Sequence, residues 1–329
     1  MPRPRVFVTR RIPDAGLDAL RAHCDVDVWQ PDVPPAQEEL LARARDCDGL
    51  VTLLSDRIDA ALIAACPRLR VVSNYAVGVD NVDLRACAAR GIAVGNTPDV
   101  LTDATADLAL ALLLAVARRL PEAERAVRSG AWRTWEPRGH VGLDLVGATL
   151  GVVGLGRIGA AFARRCRGAW GMRVLYAAPR RVVAAEEELA AEHVPLERLF
   201  AESDFVSLHA PLTPATRHVV DAAALARMKP TAVLVNTARG GLVDQEALHA
   251  ALASGRLFAA ALDVTDPEPL PPTHPLLALP NCLVLPHVGS ATVRTRDAMA
   301  RIAADNLLAG LAGRALPHAV PLPAPPPGT

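Results

Sequence analysis

Between Arg5 and Thr97 short apolar runs alternate with stretches whose apolar residues recur at helical spacing. The runs Val6–Thr9, Val26–Trp29, Leu50–Leu54, Val71–Asn74 and Ile92–Val94 are rich in strand-favouring residues and predict strands. Parallel strands need crossovers long enough for a helix, and right-handed crossovers wind a sheet in two directions. The first hundred residues therefore predict a doubly wound parallel sheet. One long helix is expected from Thr102, a plausible N-cap, through Ala117 toward Arg128, ended by Ser129-Gly130 and bridging two domains. After a loop from Trp132 to Gly142 a second series predicts strands at Thr149–Val153, Val174–Ala177, Phe205–His209, Val233–Asn236, Ala259–Val264 and Leu283–Leu285. The segment from Ser290 to about Leu311 reads as a helix that returns to the first domain, and the Pro-rich end, 321–329, as a disordered tail.

The second series opens on Gly154-Leu155-Gly156-Arg157-Ile158-Gly159, which closes one apolar strand and begins a helical stretch. In that context the glycines have separate uses. Gly154 permits the tight turn, Gly156 lets the backbone approach a pyrophosphate, Gly159 allows close helix packing, and the helix start offers free N–H donors. A dinucleotide is the expected ligand. The first series has no such fingerprint; its loop Ala76-Val77-Gly78-Val79 suits either a close backbone approach or an ordinary βα turn. The expected fold class is α/β, two doubly wound parallel-sheet domains, with a Rossmann dinucleotide-binding domain (101–287) inserted in a flavodoxin-like substrate domain (1–100 and 288–329).

Composition narrows the partners. At 329 residues two domains are the natural size. The formal net charge is +0, with Lys229 the only lysine, so nothing favours nucleic acid or an anionic membrane surface. The expected partner is a small molecule. The six cysteines show no C-x-x-C pair and no ligand spacing, which points to reduced thiols in the cytoplasm. The apolar run at Val6-Phe7-Val8 is too short for a signal peptide, Leu108–Ala117 is too short for a membrane span, and the histidines show no metal-ligand pattern.

Three polar residues follow consecutive predicted strands of the second domain: Arg239, Glu268 just beyond Asp263, and His287. Strand C-termini are where open α/β sheets bind ligands. Hydride transfer to a 2-oxo acid needs a cation for the carboxylate and an acid for the carbonyl oxygen, and a carboxylate beside an imidazole would orient it and raise its pKa. Singly, each residue has an ordinary reading: Arg239 in a surface ion pair, Glu268 in a solvated loop, His287 as a satisfied loop histidine. Together, in this order and after the fingerprint, they favour chemistry.

The segments Asn236-Thr237-Ala238-Arg239-Gly240, Leu262-Asp263-Val264 with Glu268-Pro269, and Pro286-His287-Val288-Gly289-Ser290 resemble the D-2-hydroxy-acid dehydrogenase family in order and spacing. Within it the chain is similar to the glyoxylate/hydroxypyruvate reductases, from Val6-Phe7-Val8-Thr9-Arg10 through Asn74–Asn81 and Asn96–Asp103 to Leu285-Pro286-His287, over nearly its whole length. The resemblance implies that Arg239 holds the substrate carboxylate, His287 is the acid/base, Glu268 is its partner and Asp263 contacts the nicotinamide. It further implies that the Val77 and Gly78 amides bind the carboxylate with Ser290 nearby, and that Gly156, Arg157, Ile158, Pro211, Thr237 and Gly289 meet the cofactor. The loop with Trp132 and Trp135 resembles the family's dimerisation arm, in which an aromatic of one subunit borders the partner's site; a homodimer follows, with core packing of the two aromatics as the alternative.

Cofactor choice turns on the end of Val174–Ala177, about twenty residues beyond the fingerprint, where an acid would bind a ribose 2′-hydroxyl. Pro179-Arg180-Arg181 stands there instead, and arginine pairs with a 2′-phosphate, so NADPH is expected ahead of NADH. The family's reductases commonly carry Arg where this chain has Pro179, which leaves the role to Arg180. Phosphoglycerate dehydrogenase is the nearest rival activity, although many of its relatives carry a C-terminal regulatory domain. Formate dehydrogenase is more distant, having an amide where Glu268 stands. From another class, a corepressor of this fold would sense NAD(H) and bind peptides.

Overall fold

The computed structural model describes residues 3–324. In chain order, β1 (Arg5–Val8), α1 (Asp14–His23), β2 (Asp25–Val28), α2 (Gln37–Ala44), β3 (Gly49–Thr52), α3 (Ala60–Ala65), β4 (Val71–Asn74), α4 (Leu84–Ala89) and β5 (Ala93–Gly95) open the chain. They are followed by α5 (Thr102–Ala117), α6 (Leu120–Arg128), β6 (Thr149–Val153), α7 (Arg157–Trp170), β7 (Arg173–Ala177), α8 (Val183–Leu189), β8 (Glu192–His193), α9 (Leu196–Glu202) and β9 (Phe205–Leu208). The last elements are α10 (Ala222–Arg227), β10 (Val233–Asn236), α11 (Gln245–Ala253), β11 (Ala259–Leu262), β12 (Cys282–Val284) and α12 (Val293–Leu311). The chain divides into two compact units, 1–101 with 291–329, and 102–290.

In the first unit five parallel strands are ordered β2-β1-β3-β4-β5, the flavodoxin-like arrangement. Helix α12 packs on this sheet and on α1: a Cβ on Gly16 would lie 2.4 Å from the Ala300 carbonyl oxygen, so the helices meet at backbone contact. It begins at Val293, three residues later than expected, because the Thr292 hydroxyl caps it by accepting from the Thr295 N–H at 3.2 Å. The reading of 321–329 as a disordered tail is corrected in part. Val320 donates to the Val94 carbonyl at 2.8 Å and Leu322 packs against the core, so the chain is still in contact with the first unit at Leu322; residues 325–329 lie outside the described residues.

In the second unit seven parallel strands are ordered β12-β11-β10-β9-β6-β7-β8. Successive side chains of a strand point to opposite faces, and here both faces are apolar. Val233, Val235, Ala259 and Ala261 enter the core layer that holds α5 and α7, while Leu234, Ala260 and Leu262 enter the layer that holds α9 to α11. This two-sided burial is why these strands read as unbroken apolar runs. The chain leaves β6 toward β7 and β8, then returns to β9 on its other side, so the topological switch point lies between β6 and β9.

The single long helix expected over 102–128 is two helices. Proline at 121 has no N–H to donate to the Ala117 carbonyl and its ring would clash with it. Arg119 turns into the left-handed region (φ 52°), and the Ala117 carbonyl accepts from Leu143 N–H at 2.9 Å instead. Among the described residues no helix is long and apolar enough to cross a membrane. The six cysteines are all buried and unpaired.

Candidate active site

The strand-to-helix turn after β6 is built as its glycines require. Gly154 has φ 91°, and a Cβ on it would lie 2.7 Å from the Ala210 amide nitrogen beyond β9. Gly159 presses on the same turn, 2.4 Å from the Gly154 carbonyl oxygen by the same measure. Gly156, which caps α7 in front of Arg157 and Ile158, differs: a Cβ there would meet nothing within 4 Å. Open space therefore faces the backbone where a pyrophosphate would approach. Thr237, after β10, adds a second sign, since its Oγ1 is buried with no hydrogen-bond partner. An orphaned buried hydroxyl costs free energy that a ligand can recover. An open cradle with helix-start amides beside the switch point, and an unsatisfied hydroxyl two strands along the sheet at the end of β10, fit a dinucleotide. Pro211 is exposed just past Ala210, its carbonyl accepting from the Thr216 hydroxyl at 2.7 Å.

Arg239, Glu268 and His287 follow three neighbouring parallel strands, β10, β11 and β12, whose registers pair Asn236 with Leu262 and Leu262 with Val284. The turn that presents Arg239 is shaped by the fully buried Asn236, whose Oδ1 accepts from Ala238 N–H at 3.0 Å and whose Nδ2 donates to the Arg239 carbonyl at 2.8 Å. Beyond it Gly240 lies against Thr265, leaving no room for a side chain. The loop after β12 is ordered by Asp263. This carboxylate is 1 % exposed and accepts from the Val288 and Gly289 N–H groups at 2.7 and 2.8 Å. Burial raises its pKa, against the pull of those two amides. Its visible work is to hold the loop that carries His287, and the close fit of Gly289 against its Oδ2 belongs to the same arrangement.

His287 Nδ1 lies 2.6 Å from Glu268 Oε1. A carboxylate can only accept, so the proton sits on Nδ1 and Nε2 is left as the proton-exchanging atom. Burial pushes the Glu268 carboxyl up, but the His287 hydrogen bond, the ring's charge, the Thr265 N–H and Arg239 together hold it below the usual carboxylate range. His209 makes a useful contrast. Burial pushes its pKa down to about 3, its ring rests on Phe162 at 5.3 Å and meets the Ser207 hydroxyl at 2.9 Å, so it is a neutral packing element.

The other expected site residues stand as follows. Val77 and Gly78 lie in the first unit after β4; Asn96 Nδ2 donates to the Val77 carbonyl and Asn74 Nδ2 to the Gly78 carbonyl, both at 2.8 Å. Because the Gly78 N–H is trans to the Val77 carbonyl across one peptide, this tie turns that N–H the opposite way. Ser290 is half-buried at the end of the His287 loop. Trp132 and Trp135 are 65 % and 79 % exposed, which removes the core-packing alternative within one chain. Arg180 is exposed, whereas Arg181 pairs with Glu186, a residue that no sequence motif marks. Asn236 stood inside a motif that the resemblance marked, but its work in shaping the turn was not read there, although a buried asparagine at a strand end is a turn-former by chemistry.

Comparison with known proteins bears on the family and the fold. The chain is 51 % identical over 319 residues to a glyoxylate reductase of Korarchaeum cryptofilum, covering 97 % of this chain and 96 % of that one. It is 49 % identical over 323 residues to the glyoxylate reductase/hydroxypyruvate reductase of Mus musculus, covering 97 % and 98 %. Among solved structures, the NADPH-dependent glyoxylate/hydroxypyruvate reductase of Sinorhizobium meliloti, in complex with NADP and malonate, superposes with a TM-score of 0.85 at 36 % identity and covers 98 % of both chains. Residues 110–289 match the NAD-binding domain of one enzyme family, and with likeness extending over nearly the full length the chain belongs to the D-isomer specific 2-hydroxyacid dehydrogenases.

Proposed function

We propose that this oxidoreductase reduces glyoxylate to glycolate and hydroxypyruvate to D-glycerate, with NADPH favoured over NADH. The observation that carries the reading is the His287–Glu268 contact at 2.6 Å, made between the loops that follow β12 and β11, with Arg239 following β10, the next strand of the sheet. A reduced nicotinamide, when bound, supplies the hydride. Arg239 pairs its guanidinium with the substrate carboxylate and so orients the 2-oxo group. His287 gives the Nε2 proton to the carbonyl oxygen as negative charge develops there. Glu268 fixes the ring and steadies the imidazolium before transfer. The relatives named above support the substrate class, and the Arg180-Arg181 pair at the end of β7 supports NADPH.

The same reading takes the enzyme as a homodimer joined through the Trp132–Trp135 loop, and six buried unpaired thiols support the cytoplasm as its compartment. Glyoxylate, hydroxypyruvate and 3-phosphohydroxypyruvate, each with NADPH and NADH, test it by loss of nicotinamide absorbance. The first two substrates should turn over with higher kcat/KM, and NADPH should exceed NADH. Preference for the phosphorylated substrate would make the enzyme a phosphoglycerate dehydrogenase. Equal or better use of NADH would overturn the cofactor assignment, and nucleotide binding without turnover would leave a sensor.

A further inference from the structure

Arg181 is held at the end of β7. Its Nε and Nη2 meet the two oxygens of Glu186 at 3.0 and 2.5 Å, the two-pronged geometry to which a guanidinium is suited. Glu186 Oε1 also accepts from the Tyr176 hydroxyl at 2.5 Å, and that hydroxyl accepts from the Val182 N–H at 2.8 Å. Tyr176 is fully buried in β7, with the His193 ring 5.0 Å away. The side chain of Glu186 is 11 % exposed against 68 % for Arg181. The carboxylate is thus the anchored partner, and the arginine is the one able to swing. Arg181 and the Tyr176 hydroxyl hold the Glu186 carboxyl down at about 2, so it carries its charge across the whole working range of pH.

We propose that Glu186 is a specificity-determining residue for the cofactor: by holding Arg181 in an internal ion pair it weakens recognition of a ribose 2′-phosphate and leaves recognition of a 2′-hydroxyl almost unchanged. This rests on the reading that Arg180 and Arg181 meet that phosphate. A phosphate recruited to Arg181 competes with Glu186 for one guanidinium edge, or shares it at the cost of repulsion between two anions. A hydroxyl carries no charge and meets neither penalty. Among the described residues the neighbouring Arg180 has no such counter-ion, so the balance between the two nucleotides is set by two arginines against one carboxylate.

Glu186→Gln removes the charge, keeps the size and retains an acceptor for Tyr176. Dissociation constants for NADPH and NADH, read by nicotinamide fluorescence at fixed salt, are compared for the wild type, R180A, R181A, E186Q and R181A/E186Q. NADPH should bind E186Q about tenfold more tightly, the scale of one charge-assisted hydrogen bond, with NADH within about twofold. The gain should vanish in the R181A background. Unchanged or weaker NADPH binding by E186Q, with an effect of R180A or R181A, overturns the proposal alone. Equal NADPH binding by wild type, R180A and R181A overturns the phosphate reading and the proposal together. Thermal melting of each variant identifies a loss due to misfolding, in which case Glu186→Met supplies the neutral side chain.

Discussion

Replacing Glu268 by Gln takes a charge away from the His287 ring while leaving an acceptor near Nδ1. The imidazolium then surrenders its proton more readily, and reduction needs that proton. The alkaline fall of kcat for glyoxylate reduction should therefore move to lower pH in E268Q. The acid side has a different origin. The Glu268 carboxyl is held below its ordinary value of 4.5, so the charged pair persists above that pH and is lost only as the pH falls through the depressed value. His287→Asn should lower kcat by roughly 10²- to 10⁴-fold while NADPH affinity holds, the usual worth of a general acid. A wild-type pH profile in E268Q, or a fully active H287N, sinks the dyad. The placement of Arg239, Glu268 and His287 after neighbouring strands was legible in the sequence because each follows an apolar strand, and a strand end is a place that sequence can fix. Glu186 was not, because five residues across a helix start follow no periodic rule and only the fold brings its carboxylate to Arg181.

At the scale of elements, the two glycines flanking the start of α7 do opposite things, and substitution separates them. Alanine at 159 would put its Cβ 2.4 Å from the Gly154 carbonyl oxygen, so α7 must lift from β6. Overpacking of this kind costs roughly 1–3 kcal/mol, and Gly159→Ala should lower Tm as well as nucleotide affinity. Gly156→Ala meets nothing within 4 Å and has an extended backbone that any residue adopts, so Tm should hardly change. Its methyl group enters the space reserved for the pyrophosphate, and NADPH and NADH should both weaken by about tenfold or more. Equal nucleotide affinity in G156A and wild type would remove the cradle from this turn. The turn was legible from glycines set between a strand and a helix, and most of the strands from the apolar runs that two-sided burial leaves. The break at Arg119 was missed because the apolar period of α5 runs up to it, and the proline that stops the helix lies two residues later. β8 was missed because two residues carry no period at all.

For the whole molecule, the segment from α6 to the start of β6 is the part of the second unit least covered by its own chain. Helix α6 buries no residue, yet Leu120, Ala123 and Val127 fall on one face, and Leu120 and Val127 are 54 % and 57 % exposed. Trp132, Trp135, Val141 and Val146 follow, all more than half exposed. Single exposed apolar residues are ordinary, but a run of six within one segment suits the interface of the homodimer proposed above, and tryptophan is among the residues that most often anchor one. In the proposed homodimer each of these tryptophans is worth about 2–4 kcal/mol of association. Trp132→Ser with Trp135→Ser should therefore turn a dimer into a species of 34.7 kDa by light scattering, with its Tm read separately. The nucleotide cradle lies on β6, α7 and β10 of a single chain, so NADPH affinity should survive dissociation. Turnover should not, if Trp135 borders the partner's substrate. Retained activity in the monomer would confine Trp135 to assembly, and an unaltered dimer would place the interface elsewhere.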